Sequence, residues 1–509
     1  MVETLSSRES DKLQDECGVV GMFAPGRGFD EPPLVYEIAK VLPTLQHRGQ
    51  QSAAVGGRVG NIMTRVGGLG KVDEALNGGS VLRGLDRSDF AMGHVRYATS
   101  LLIEGANEEE KASINRLAIQ PMARSPLPGV NFMLGLNGNC ANTDELLDML
   151  RQEKSKLDRS DYVTDTAIIT SLMSQRVASG LSIRDAILSV TGEIVGGYSV
   201  VVWAQDKQGE KLYALRDPNG IRPLMLGSLP KKGWMVASEE GALNMAKAEF
   251  DREIPAGHMV EIGADGLSIY QAFSDIDPTD CIFEVPYLAR PDQRIHGERV
   301  RLMRIRSGEI LAQEHPVDVD VVVGIPDSGL DAAKGYARRL DIPDEDAFVR
   351  NRYNMDRSFI EDSQESRGSA IELKISSVIS EYVRGKRVAV VDDSLVRGNT
   401  MKNRVQMLRD AGAIEVHVRI ASPPIINRCL YGVDMPDESL LIAAHMTVEE
   451  IAMEINADSL GYLSIEGLRE STGSVDRSNR PLGASALRFC DACMTGNYPT
   501  AIPHNPKMG

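Results

Sequence analysis

Val388-Ala389-Val390-Val391-Asp392-Asp393-Ser394-Leu395-Val396-Arg397-Gly398-Asn399-Thr400 reads as an apolar strand, two acids at its end, and a loop bearing hydroxyls and a glycine. An unbroken β-branched run marks a strand covered on both faces. Ligands of open parallel sheets bind where such strands end. The loop offers backbone N–H groups, the hydroxyls of Ser394 and Thr400, and the flexible Gly398 to a phosphate. Carboxylates beside a phosphate loop suit a sugar phosphate, because they accept from ribose hydroxyls or hold Mg²⁺. The plain alternative is a strand followed by a polar turn.

Around that stretch, from Glu298 to about Leu468, strands alternate with helices: strand Val321–Ile325, helix Gly329–Leu340, strand Val388–Val391, helix Lys402–Ala411, strand Glu415–Ile420. This alternation predicts an α/β domain with a parallel sheet over residues 298–468. Upstream, short strand patterns (Gly18–Phe23, Phe90–His94, Phe132–Leu136, Tyr198–Trp203, Lys211–Arg216, Met235–Ser238) mix with helical ones (Leu34–Leu45, Asp144–Arg151), which predicts an α+β layered domain over 17–262. Residues 1–16 read as a charged leader. Residues 263–297, with Pro278, Pro286 and Pro291, read as a linker, and 469–509 as a Gly- and Ser-bearing tail.

The chain of 509 residues is long enough for two or three cores. With 56 Lys+Arg against 72 Asp+Glu, its net charge is −16, which argues against nucleic acid or an anionic membrane as partner. No run of ~18 apolar residues suggests a membrane span, and the leader lacks the apolar core of a secretory signal. Six cysteines in so long a chain form no disulfide framework, so a cytoplasmic setting is expected.

In Asp15-Glu16-Cys17-Gly18-Val19-Val20-Gly21 a cysteine opens an apolar strand directly after the leader. If the leader is removed, Cys17 gains a free α-amine with a pKa near ~7.7–8.0, able to take the thiol proton. One residue then supplies nucleophile and base. Taken alone, a Cys in this position is most often a core thiol.

Five further motifs follow in order: Leu45-Gln46-His47-Arg48-Gly49-Gln50, Gly93-His94-Val95-Arg96-Tyr97-Ala98-Thr99, Leu136-Asn137-Gly138-Asn139, Val163-Thr164-Asp165 and Arg216-Asp217-Pro218-Asn219-Gly220-Ile221-Arg222-Pro223-Leu224. Together with the Asp392-Asp393 loop they resemble glutamine phosphoribosylpyrophosphate (PRPP) amidotransferases, from about Asp15 to Pro499. The resemblance implies an N-terminal-nucleophile (Ntn) hydrolase αββα domain followed by a type I phosphoribosyltransferase domain. It implies Cys17 as the nucleophile that attacks the glutamine side-chain amide, with Asn137 (side chain) and Gly138 (N–H) as oxyanion hole. Arg96 then pairs with the glutamine α-carboxylate, Asp165 with its α-ammonium, and Arg48 orients the nucleophile end.

For the second domain the resemblance implies PRPP binding by Ser328 of Ile325-Pro326-Asp327-Ser328-Gly329 and by Arg357, Asp392, Asp393, Ser394, Arg397, Gly398 and Thr400. Mg²⁺ would be held by Ser328, Asp392 and Asp393. The segment Arg350 to Ile360 resembles a lid over PRPP that also lines an ammonia channel, with Tyr353, Phe359 and Ile360 on its wall. One C-x₂-C pair, Cys490 and Cys493, with the distant Cys281 and Cys429, is a weak metal signal by spacing. One branch of the family, which also has a cleaved leader, carries a [4Fe–4S] cluster on cysteines at these places; four thiolates equally suit tetrahedral Zn²⁺.

The reaction implied is glutamine + PRPP + water → 5-phosphoribosylamine + glutamate + pyrophosphate, the first committed step of purine synthesis. Purine nucleotides as feedback inhibitors and a homotetramer are expected from the resemblance. The chain departs from the family in a longer, acidic loop from Ser100 to Lys111, in Leu136 ahead of Asn137, in Asn354-Met355-Asp356 of the lid, and in Asn399 of the phosphate loop. These departures keep two other readings open: a PRPP-sensing regulatory protein, or an amidotransferase with another acceptor.

Overall fold

The computed structural model describes residues 14–15, 17–28, 30–97, 108–154, 156–350, 375–482 and 488–502. They form two compact units, the first made of Gln14–Cys281, Cys429–Asp434 and the chain from Tyr498, the second of Ile282–Arg428 and Met435–Asn497.

In the first unit the strands are β1 (Gln14–Asp15), β2 (Gly18–Phe23), β3 (Ser52–Val59), β4 (Ile62–Leu69), β5 (Phe90–Arg96), β6 (Met122–Leu127), β7 (Val130–Cys140), β8 (Gly196–Asp206), β9 (Gly209–Arg216), β10 (Met225–Ser228), β11 (Trp234–Ala237), β12 (Glu249–Glu253), β13 (His258–Gly263) and β14 (Gly266–Gln271). They build a seven-stranded sheet, β12-β10-β11-β2-β5-β3-β4, and a six-stranded sheet, β14-β13-β9-β8-β7-β6. Both are antiparallel wherever a pairing is described.

Strand alternation produces the layers. On β2, Val19 and Phe23 pack between the sheets with Met92, Met133 and Trp203. Val20 and Met22 pack on the other side, against the helix Leu34–Val41. On β7 and β8 the residues Phe132, Leu134, Leu136, Val200 and Val202 meet the helices Asp165–Ala178 and Ile183–Thr191, while Met133, Val201 and Trp203 face the sheet interior. The order is therefore helix, sheet, sheet, helix, the αββα arrangement. The helix expected over Leu34–Leu45 stops at Val41 and continues as a tighter 3-10 segment, Leu42–Arg48. Pro43, at the start of that segment, has no N–H to continue the α-helical ladder. The linker expected from residue 263 begins later, because Gly266–Gln271 pairs with His258–Gly263 as an edge strand.

The second unit holds a five-stranded sheet in the order Asp344–Glu345, Val321–Gly324, Arg387–Asp392, Glu415–Ile420, Ser459–Tyr462, all parallel. The central strand Arg387–Asp392 is buried on both faces, as its β-branched run requires. The helices Val300–Glu314 and Gly329–Leu340 cross at two glycines. A Cβ on Gly308 would stand 1.9 Å from the Ala332 carbonyl oxygen, and one on Gly335 would stand 1.9 Å from that of Ile305.

Candidate active sites

Cys17 immediately precedes β2 and is buried. Its backbone is left-handed, with φ of 73°. Its N–H donates to the Arg48 carbonyl at 3.0 Å, and Sγ lies 3.8 Å from the Tyr97 carbonyl oxygen. Two residues on, the Val19 N–H donates to Ser238 Oγ at 3.0 Å, and the same hydroxyl meets Asn137 Nδ2 at 3.4 Å. Ser238 thus ties the strand after Cys17 to the Asn137 side chain, the candidate oxyanion amide. Asn137 is fully buried, and its Oδ1 has no hydrogen-bond partner among the described residues. The two ends of an amide are alike in shape, so the chemistry decides its orientation. Ser238 Oγ already accepts from Val19 and has a hydrogen to give. With Oδ1 turned toward it, both groups are satisfied and the Asn137 NH₂ is left to donate into the site.

On β7 the Leu136 N–H donates to Gln120 Oε1 at 2.8 Å and the Cys140 N–H to Asp165 Oδ2 at 3.0 Å, with Gly138 between them. Gly138 has φ of 129°, and a Cβ there would stand 2.0 Å from the Gly197 carbonyl oxygen, so the position admits only glycine. Asp165, first residue of its helix, also accepts from Thr143 Oγ1 at 2.8 Å. Burial pushes its carboxyl up, against the pull of these hydrogen bonds.

Arg48 is fully buried and donates Nε to Glu239 Oε1 at 2.6 Å; His47 Nε2 meets the same oxygen at 2.8 Å. Burial alone would raise the Glu239 carboxyl, but His47 and Arg48 outweigh it and hold it down at about 2. Arg96 ends β5, buried. Gly49 lets the Arg48 loop lie against it, since a Cβ there would be 2.7 Å from the Arg96 backbone nitrogen. His94, fully buried, gives Nε2–H to the Leu136 carbonyl at 2.9 Å, and burial lowers its pKa to about 4, so the ring is neutral.

In the second unit Ser328 ends the loop after Val321–Gly324, and its hydroxyl donates to Asp393 Oδ2. Ser394 Oγ reaches Asp393 Oδ1 at 2.5 Å, and the Asp393 N–H reaches Asp392 Oδ1 at 2.9 Å. Gly329 permits this approach, as a Cβ there would stand 2.6 Å from the Val391 carbonyl oxygen. Arg350 pairs with Asp327. Gly398 is left-handed, with φ of 90°, and opens the helix Asn399–Asp410, which contains Thr400. Arg397 Nε is buried without a hydrogen-bond partner among the described residues. Tyr353, Arg357, Phe359 and Ile360 lie outside the described residues, as do Asn354–Asp356 and Ser100–Asn107.

Cys281 ends the strand Thr279–Cys281, Cys490 ends Arg488–Cys490, and Cys493 lies in the helical turn Ala492–Thr495. Cys429 Sγ accepts the Tyr431 N–H at 3.4 Å. No cysteine is in a disulfide. Cys140 packs among Phe132, Leu136 and Tyr198. Sequence reasoning missed Ser238 and Glu239, whose sole signal is a pair of polar residues closing a strand, and the segment Cys429–Asp434, which carried no signal beyond its cysteine.

The glutamine amidotransferase domain family matches residues 112–245, and the phosphoribosyl transferase domain family matches residues 300–422. The amidophosphoribosyltransferase of Synechococcus elongatus is 37% identical over 510 residues, covering 99% of this chain and 95% of its own length. That of Bacillus subtilis is 37% identical over 490 residues, covering 96% of this chain and 95% of its own. Among solved structures, the glutamine PRPP amidotransferase from B. subtilis complexed with ADP and GMP superposes with a TM-score of 0.82 at 35% identity, covering 96% of this chain and 98% of that one. Likeness of this extent, across both units, places the chain in the amidophosphoribosyltransferase family.

Proposed function

We propose that the two sites divide one reaction: the first releases ammonia from glutamine, and the second adds it to PRPP to give 5-phosphoribosylamine and pyrophosphate. The chain is a glutamine-dependent transferase of the first step of purine biosynthesis. The observation that carries the first half is the Ser238 bridge between the Cys17 strand and the Asn137 amide. In this reading Cys17 Sγ attacks the side-chain amide carbon. Asn137 Nδ2 and the Gly138 N–H receive the developing oxyanion, a term worth ~10²–10³ per donor. Arg96 and Asp165 hold the α-carboxylate and α-ammonium, and Arg48 braces the Cys17 end through its carbonyl.

We also propose that the bond ahead of Cys17 is cut. The left-handed Cys17 backbone supports this: a non-glycine residue pays about 1–2 kcal/mol there, and the cost disappears with the preceding peptide. The Arg48 carbonyl would then accept from the new α-amine.

In the second half, Arg397, whose Nε has no partner among the described residues, and the N–H groups after Gly398 suit the phosphate groups of PRPP, and Asp392 and Asp393 suit its ribose hydroxyls. Ser328, Asp392 and Asp393 form the sparse set of hard oxygen donors that fits Mg²⁺, which when bound would neutralise pyrophosphate charge. For Cys281, Cys429, Cys490 and Cys493 we propose a [4Fe–4S] cluster. The support is the thiol donor set and the N–H that Cys429 already receives, a contact that favours thiolate. Iron and sulfide content, set against Cys490→Ser, tests it. Purine nucleotide inhibition is proposed from the ADP and GMP in the B. subtilis structure. A homotetramer is proposed from the family resemblance and a cytoplasmic site from the cysteine usage. No helix among the described residues is long and apolar enough to cross a membrane.

The test is glutamate release by anaerobically purified protein, with and without Mg²⁺-PRPP, beside Cys17→Ala. PRPP-stimulated release that vanishes in the variant is expected. Release indifferent to PRPP would favour the regulatory reading.

A further inference from the structure

A short strap, Leu430–Gly432, belongs to the first unit although it lies far along the chain from the other residues of that site. Two contacts fix it to the oxyanion loop, and a third fixes it to Arg222. Asn139 Nδ2 donates to the Leu430 carbonyl at 3.2 Å. Arg222 Nε, fully buried, donates to the Tyr431 carbonyl at 2.8 Å. Gly432, with φ of 109°, lies so close to Gly138 that a Cβ on it would stand 3.0 Å from Gly138 Cα and 2.7 Å from Arg222 Nη2. Tyr431 is itself locked: it is 1% exposed, its Cβ would be 2.9 Å from a Cβ on Gly197, and its hydroxyl meets Thr500 Oγ1 at 2.8 Å. Gly197 is the residue opposite Asn139 in the β7–β8 ladder.

We infer that this strap positions the oxyanion donors, and that Asn139 is the positioning residue through which it acts. Asn139 neighbours Gly138, whose N–H must point at a charge that exists only in the transition state. Gly138 has the widest conformational freedom of any residue type, so an outside brace is what keeps that N–H aimed. Asn139 supplies the brace by holding a carbonyl, and Gly432 supplies it by contact. The inference rests on the glutaminase reading above. It adds that the efficiency of the site is set by a segment outside the amidotransferase motifs.

The test is Asn139→Ala in the full chain, with three readouts. Glutamine hydrolysis should lose roughly ten- to hundredfold in kcat, the scale of a misplaced catalytic group, with KM within about twofold. Alkylation of Cys17 by iodoacetamide, a displacement that forms no oxyanion, should proceed as in the wild type. Ammonia-dependent formation of phosphoribosylamine should be unchanged. Gly432→Ala should give the same signature by displacing Gly138 instead of releasing it. Unchanged hydrolysis in Asn139→Ala overturns the inference, and so does a parallel fall of hydrolysis and alkylation, which marks a general disturbance of the pocket. A wild-type protein that hydrolyses no glutamine while Cys17 is alkylated sinks the underlying reading instead.

Discussion

Arg48 and Glu239 form an ion pair with both side chains fully buried, Nε to Oε1 2.6 Å, at the point where the Arg48 carbonyl holds the Cys17 N–H. A buried charge that loses its partner is costly, at about 3–5 kcal/mol. Glu239→Gln removes the carboxylate that the buried Arg48 Nε meets, and the expected outcome is a clear fall in thermal midpoint of the first unit, read by calorimetry. Replacing both residues by apolar ones should cost less than the single change.

Acid should weaken this unit in two stages. The neutral His94 ring has its pKa lowered from the usual 6.5 to about 4 by burial. The unfolded chain therefore takes up that proton first, and stability that is full above pH 6.5 is lost as the pH falls toward 4. The displacement corresponds to about 3 kcal/mol. Glu239, held from 4.5 down to about 2, contributes stability that is present above pH 4.5 and lost below it. Denaturant midpoints from pH 8 to 3 should show the first step shrink in His94→Gln and the second in Glu239→Gln.

Ser238→Ala should lower kcat for glutamine hydrolysis by roughly tenfold with little change in KM. It removes the hydroxyl that bridges Val19 and Asn137 but no group placed on the substrate. Steady-state kinetics with glutamine decide it.

Arg397→Ala should raise the KM for PRPP roughly ten- to hundredfold, the worth of one hydrogen bond to a charged group. The Arg397 Nε, buried with no partner among the described residues, is the basis. The measurement is ammonia-dependent synthesis at varied PRPP, which leaves the glutamine site out of the assay.

Gly335→Ala should destabilise the second unit by about 1–3 kcal/mol or more, because its new methyl would meet the Ile305 carbonyl oxygen at 1.9 Å and force the two helices apart. Thermal unfolding monitored by circular dichroism checks it. Lys334→Ala, one residue away, should be close to neutral.

The elements were legible where burial pattern and chemistry agreed. Gly18–Phe23, Gly329–Leu340 and Glu415–Ile420 have the ends that their periodicity predicts. The helix from Leu34 was over-extended because a hydrophobic stripe runs on past Pro43 while the backbone ladder does not. Gly266–Gln271 escaped notice because an edge strand with one covered face shows little apolar pattern. In the first site Cys17, Arg96, Asn137 and Gly138 stand in short motifs, which is what made them candidates in the sequence. Ser238 could not be read there, since it acts on Val19 across 219 residues by a single hydroxyl. Leu430 could not either, since what it contributes is a backbone carbonyl, and any residue has one.

The hydrogen bond from Asn139 to Leu430 spans 291 residues of chain. During synthesis at ~5–20 residues per second, a ribosome that has finished the Cys17 strand and the oxyanion loop still has roughly 15–60 s of translation before the brace for that loop exists. By then the strand Arg387–Asp392, with the loop proposed to bind PRPP, has already been made. Chain order thus makes the brace the last of these parts to appear, after the strand and loop proposed to hold the ammonia acceptor.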